Sequence, residues 1–213
     1  MDPVRLDTTG VPRTYLSVPG EDRWMTDPHP LTIDYGHHPP VRELLDIVLY
    51  CLEDLSLGFE RWDEPSAHGP GAYFAVVSGR SLRDYADAMG ENVWPTEECR
   101  RVHGADSSFY ETVRDVSRSR DGAVVVGVDN VIQRQMVRFR DLSGADAAES
   151  DEQAGVEYAE WMGSRHMSAL ETSARDEVVA TATLSAENGR VTVFRDGTFD
   201  ARTRDELASE WRG

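Results

Sequence analysis

The order of apolar patterns predicts a mixed α/β domain, a central sheet of parallel and antiparallel strands flanked by helices. Three observations carry this. Segments of helical period alternate with short β-branched runs. Asp129-Asn130 and Asn188-Gly189 place tight turns where neighbouring strands must run antiparallel, and Asp196-Gly197 marks another turn. Strands joined through helices can instead lie parallel.

Residues 1 to 40 are rich in Pro, Gly, Asp and Thr, with short apolar patches at Tyr15-Leu16 and Leu31-Thr32-Ile33. They read as an extended N-terminal arm, leaving 41 to 213 as the domain. His37-His38, with His29 upstream at no fixed ligand spacing, reads as a loop pair. Pro39-Pro40 opens the first helix, in which Val41, Leu44, Leu45, Val48, Cys51, Leu52 and Leu55 share a face that Gly58 ends. Arg61 to Gly71 is loop, and Ala72 to Ser78 a core strand.

Ser81-x-x-Asp84 has capping spacing and predicts a short helix stopped by Gly90. Ser108-x-x-Glu111 starts another, with Phe109, Val113 and Val116 on one face, delivering the chain to Asp121. Asp121 to Gly127 is a glycine entry into a buried strand. Asp129-Asn130 turns, and Val131 to Phe139 is expected to return as the second strand of a hairpin. Ser143 to Gly155 is an acidic, small-residue loop. A brief helix over Val156 to Met162 and a second from Ser164 to Ala174 are separated by Gly163. Val178 to Leu184 and Val191 to Phe194 are strands. Thr203-x-x-Glu206 caps a last helix ending near Trp211.

Composition narrows the function. Of 213 residues 39 are acidic and 22 basic, and every basic residue is arginine. Such a chain repels itself at low salt and is soluble where counterions screen it, which points to a salt-rich cytoplasm. Codon bias toward arginine would explain the missing lysines but not the acids. The same balance speaks against nucleic acid as a partner, since binding it needs a basic footprint. Cys51 and Cys99 have no CxxC spacing, so neither a disulfide framework nor a zinc site is indicated. No run approaches the roughly 18 apolar residues of a membrane span. MDPVRLDTTG lacks the basic-then-apolar layout of a signal peptide. A cytoplasmic protein is expected.

Three segments carry chemistry together that none carries alone. Asp121-Gly122-Ala123 puts a carboxylate at a strand mouth, where it can bind a divalent metal or accept a hydroxyl proton. Gly122 and Ala123 let a planar ligand approach the backbone. Gly163-Ser164-Arg165-His166 enters a helix whose first N–H groups lack internal partners and attract anions. Arg165 adds a planar fork, His166 a donor, and Ser164 and Ser168 hydroxyls. A cation in a first helical turn works against the helix dipole, a cost that an anionic ligand would offset. Ser185-Ala186-Glu187-Asn188-Gly189 sets Glu187 in a hairpin turn.

The order DGA, GSRHM, SAENG resembles the diadenylate cyclase domain family, found in the DNA-integrity scanning protein and in membrane-bound cyclases. The likeness covers about Val41 to Phe199; the acidity would make this a soluble, haloarchaeal-type member. The family's marks are DGA, a Gly-Thr-Arg-His-Arg type helix entry, and Ser-Glu-Glu before a glycine hairpin. The resemblance implies condensation of two ATP into cyclic di-AMP with release of two pyrophosphates, using Mg²⁺ or Mn²⁺. It implies that Asp121 binds metal and helps activate the ribose 3′-hydroxyl, and that Glu187 joins the metal. Gly122 and Ala123 would line ribose or base, and Ser164, Arg165, His166 and Ser168 would hold the triphosphate. Each site of the family holds one ATP, so a homodimer with facing sites is implied.

Met167 stands where the family has a second arginine, Ala186 where it has the first glutamate, and the linker between the first two motifs is longer. Arg134, Arg138 and Arg140 share a strand face by parity, and serve either to restore charge near the site or as a solvated edge. The rival function is a related module that has lost catalysis and senses ATP or cyclic di-AMP. A purely structural α/β protein would leave three ordered motifs unexplained.

Overall fold

The computed structural model describes residues 38–64, 66–79, 82, 84–104, 107–142 and 156–212. The expected arm, apart from 38–40, and the acidic loop at 143–155 lie outside them. Among the described residues, no helix is long and apolar enough to cross a membrane.

The fold is the expected mixed α/β arrangement. Helix α1 spans Pro39–Gly58, α2 Ser107–Ser119, α3 Ser164–Ser173 and α4 Arg204–Arg212. The strands are β1 (Ala72–Val77), β2 (Ala86–Val93), β3 (Val124–Gly127), β4 (Gln135–Phe139), β5 (Val178–Leu184), β6 (Val191–Arg195) and β7 (Thr198–Arg202). Five form a sheet in the order β3-β1-β5-β6-β7, and β2 and β4 form a separate ribbon. The β1–β3 pair is parallel, linked through α2, while β1–β5, β5–β6 and β6–β7 are antiparallel.

Alternation along the strands divides the core into two layers. Phe74, Val76, Val124, Val126, Ala182 and Leu184 face α1, α2 and Leu207 of α4, with Trp94 and Phe109 filling between them. Tyr73, Ala75, Val77 and Val125 face the other way, onto Ala169 and Leu170 of α3 and Val137 and Phe139 of the ribbon. A register shift between Val76 and Val77 moves Val178 to this second side, although it shares parity with Ala180. Thr203 and Glu206 form the expected capping box: the Thr203 N–H donates to Glu206 Oε2 at 2.8 Å, and the Glu206 N–H to Thr203 Oγ1 at 3.4 Å.

Three expectations are corrected. The segment ending at Gly90 is not a helix. Strand β2 begins at Ala86 and pairs antiparallel with β4, which satisfies backbone groups that a short helix with little apolar face could not shield. Val156 to Met162 is irregular and then a turn, closed by the Met162 N–H on the Ala159 carbonyl at 3.0 Å. Seven residues before a glycine are too few to repay helix nucleation. Val131 to Phe139 does turn back at Asn130 (φ 66°) and runs antiparallel to the 123–127 segment, with bridges Val126–Ile132 and Ala123–Val137 and the Gln133 N–H on the Val125 carbonyl at 2.9 Å, but it forms no continuous ladder there. Its strand belongs to the ribbon with β2.

Candidate functional site

The three motifs meet because of where their strands begin and end. β1 and β3 run parallel and β5 antiparallel, with Ala72 opposite Leu184 and Phe74 opposite Val124. Gly71 before β1, Asp121-Gly122-Ala123 before β3 and Ser185–Gly189 after β5 therefore share one edge of the sheet. β3 and β5 flank β1, so their ends lie roughly 10 Å apart at the usual strand spacing. Helix α3 packs on β5, where Thr181 Oγ1 donates to the Ala169 carbonyl at 2.8 Å, and its N-terminus opens at the same edge.

A cleft of about 710 Å³ lies there. Its lining includes every residue expected of the site: Asp121, Gly122, Ala123, Ser164, Arg165, His166, Ser168 and Glu187. It also includes residues that carried no signal in the sequence: His68, Met89, Asp141, Trp161 and Arg190. Arg138 lines the cleft as well, whereas Arg140 is held away by Asp87 of β2, donating from Nε at 3.0 Å and from Nη2 at 2.6 Å. Arg134 is exposed.

Asp121 and Arg165 form the centre. Arg165 Nη2 donates to Asp121 Oδ1 at 3.1 Å, and the Gly122 N–H donates to the same oxygen at 2.9 Å. That N–H first, and then the guanidinium, hold the Asp121 carboxyl below the usual carboxylate range, against some desolvation. Oδ2 has no partner among the described residues, and the side chain is 69% exposed. Gly122 turns the chain at φ 103°, and a Cβ there would meet Met89 Cγ at 3.0 Å. Gly71, in a loop on sequence grounds, proves to be a contact of the site: a Cβ on it would lie 2.6 Å from Arg165 Nη1 and 2.9 Å from the Ala186 Cβ.

Helix α3 starts at Gly163, which is extended and offers no side-chain cap, and its first turn holds no acid. The leading N–H groups are thus left for an anion. His166 differs from expectation. It is 6% exposed, edge-on to Trp161 at 5.1 Å between centroids, and its Nε2 is buried without a hydrogen-bond partner. Burial first, then the charges of Arg165 and Arg190, push its pKa down to about 4. At neutral pH it is an uncharged imidazole rather than a cation. Met167 is 36% exposed on the outer side of the turn.

Asp121 and Glu187 are the carboxylates expected to bind metal, and both line the cleft, with Glu187 exposed on its hairpin. Among the described residues no group of three His, Cys, Asp or Glu is disposed to hold an ion. Mg²⁺ commonly takes one or two carboxylates, with substrate phosphates and water completing the shell. The open Oδ2 of Asp121 suits an ion of that kind.

No family model matches the chain, and no curated protein does. Among solved structures, it is similar to a hypothetical membrane spanning protein from Bacillus cereus, at 17% identity and a TM-score of 0.50. That match covers 76% of this chain, which spans 64% of the length of the Bacillus cereus protein. It is also similar to a double mutant of DacA from Staphylococcus aureus, at 18% identity over 81% of this chain and 97% of that one, with a TM-score of 0.42. At such identities the likeness to the Bacillus cereus structure is one of fold, a mixed sheet of five strands between helices.

Proposed function

We propose that the chain is a diadenylate cyclase, condensing two ATP into cyclic di-AMP and two pyrophosphates. The observation that carries this reading is the convergence of Asp121-Gly122-Ala123, Ser164-Arg165-His166 and Glu187 on one cleft. These segments lie some twenty to forty residues apart in sequence, and each brings charged or polar groups to the same cleft.

In the proposed reaction each ribose 3′-oxygen forms a bond to the α-phosphorus of the other ATP, as the bond from that phosphorus to the pyrophosphate oxygen breaks. The protein's share is positioning and charge. The α3 N-terminus, Ser164, Ser168 and Arg165 bind the triphosphate. His166, neutral and walled by Trp161, donates a hydrogen bond without adding charge. Asp121, kept ionised, orients the attacking hydroxyl and accepts its proton. Mg²⁺ or Mn²⁺, held by Asp121 and Glu187 with phosphate oxygens, would supply Lewis-acid charge stabilisation. Arg165 would turn from Asp121 toward phosphate when nucleotide enters, since one guanidinium cannot serve both as a full bidentate fork. Two ATP in facing sites require two copies of the chain.

The test is incubation of purified protein with ATP and Mn²⁺ in molar KCl, with cyclic di-AMP detected by mass spectrometry. Product formation is expected. ATP bound but unchanged across metals and salt concentrations would instead identify a sensor of ATP or cyclic di-AMP.

A further inference from the structure

We propose that Arg190, seated on Trp161, is the second arginine clamp for the phosphates of the ligand, replacing the side chain that Met167 does not provide. The inference rests on the nucleotide reading of the cleft and extends it to a residue outside the three motifs.

Arg165 and Arg190 enter the cleft from different elements, Arg165 from α3 and Arg190 from the base of the β5–β6 hairpin. The backbone of Arg190 is fixed on both sides: its N–H donates to Asn188 Oδ1 at 3.1 Å, and its carbonyl accepts the Ser185 N–H at 2.9 Å. Its guanidinium carbon lies 4.1 Å from the centre of the Trp161 ring. A planar cation stacked in this way keeps its charge and its edge donors while losing little further freedom on binding.

Among the described residues the charge has no carboxylate in contact with it. Arg190 makes no ion pair among the described residues, and its Nε is buried without a partner. Glu206, whose carboxylate feels the field of Arg190, is already engaged by the N–H and hydroxyl of Thr203, at 2.8 and 2.7 Å. The field of Arg190 also reaches His166. A buried, unsatisfied guanidinium edge in an acidic chain is costly, and an anion entering the cleft removes that cost. Arg165 by contrast already has Asp121. Of these two arginines, Arg190 is therefore the one with no carboxylate partner among the described residues to give up before it meets phosphate.

The experiment is calorimetric titration of the wild type, Arg190→Met and Arg190→Lys with ATP, inorganic tripolyphosphate and adenosine. Arg190→Met is expected to weaken ATP and tripolyphosphate by about 10- to 100-fold while leaving adenosine unchanged, with Arg190→Lys between. Equal tripolyphosphate affinity in wild type and Arg190→Met overturns the clamp, and so does an equal loss for adenosine, which would mark Arg190 as packing for Trp161. If the clamp is absent but the wild type makes cyclic di-AMP, the cyclase stands without it. If tripolyphosphate binds through Arg190 but ATP binds no better and yields no product, the clamp stands and the cyclase falls. No binding of either anion by the wild type overturns both.

Discussion

Arg165 on the first turn of α3 and Asp121 at the mouth of β3 are joined by a 3.1 Å hydrogen bond across 44 residues of sequence. The pair ties two of the three motifs together before any ligand arrives. It also places a cation beside the carboxylate that the proposed reaction would use as proton acceptor and metal ligand.

Asp121→Asn keeps the shape and an acceptor for the Gly122 N–H but removes the charge. Loss of cyclic di-AMP formation is expected, with ATP binding retained, because Arg165 is released toward phosphate. Single-turnover product assays beside equilibrium ATP titration check this. Unchanged product formation would remove Asp121 from the mechanism.

Gly71→Ala tests the tight floor of the site. The added Cβ meets the movable end of Arg165, but also the Ala186 Cβ, which has no rotamer to change. Backbone must shift, at a cost of about 1–3 kcal/mol of stability by the usual toll of overpacking. Arg165 is displaced as well, so ATP affinity should fall alongside the urea midpoint. A variant with unchanged midpoint and affinity would show that the β1 entry yields freely.

His166 gives the fold a pH dependence. Its pKa is about 4 in the fold against 6.5 when solvated, so between these values the unfolded chain binds more protons. Its contribution is fully present above about pH 6.5 and is lost as pH falls through about 4, a change on the order of 3 kcal/mol. His166→Gln should lose less stability than wild type between pH 7 and pH 4.5 in urea titrations. Equal losses would mean that carboxylates alone drive the acid sensitivity.

The candidate residues that line the cleft stand out in the sequence because each motif has its own local logic: a glycine entry to a strand, an uncapped helix start and a hairpin glycine. Trp161 and Arg190 do not. Trp161 falls in the brief helix expected over Val156 to Met162, and Arg190 directly follows the Asn188-Gly189 turn. Nothing in either neighbourhood says that α3 and the β5–β6 hairpin bring them within 4.1 Å. Gly71 was equally silent, since its need to be small comes from Arg165 and Ala186, far along the chain. His166 read as a donor, but its neutrality follows from burial beside two guanidinium groups.

Sequence by itself determined the four helices that form among the described residues, though it also suggested two that do not, together with most of the strands, the capping box at Thr203 and the turns at Asn130, Gly189 and Gly197. These depend on periodicity and on backbone angles that few residues tolerate. Only tertiary structure decided that β4 forms its ladder with β2, bridging the β3 entry only at Ala123–Val137, that 86–93 is strand, and that three separated motifs share a sheet edge. Strand pairing satisfies hydrogen bonds between distant segments, and no local pattern records the partner.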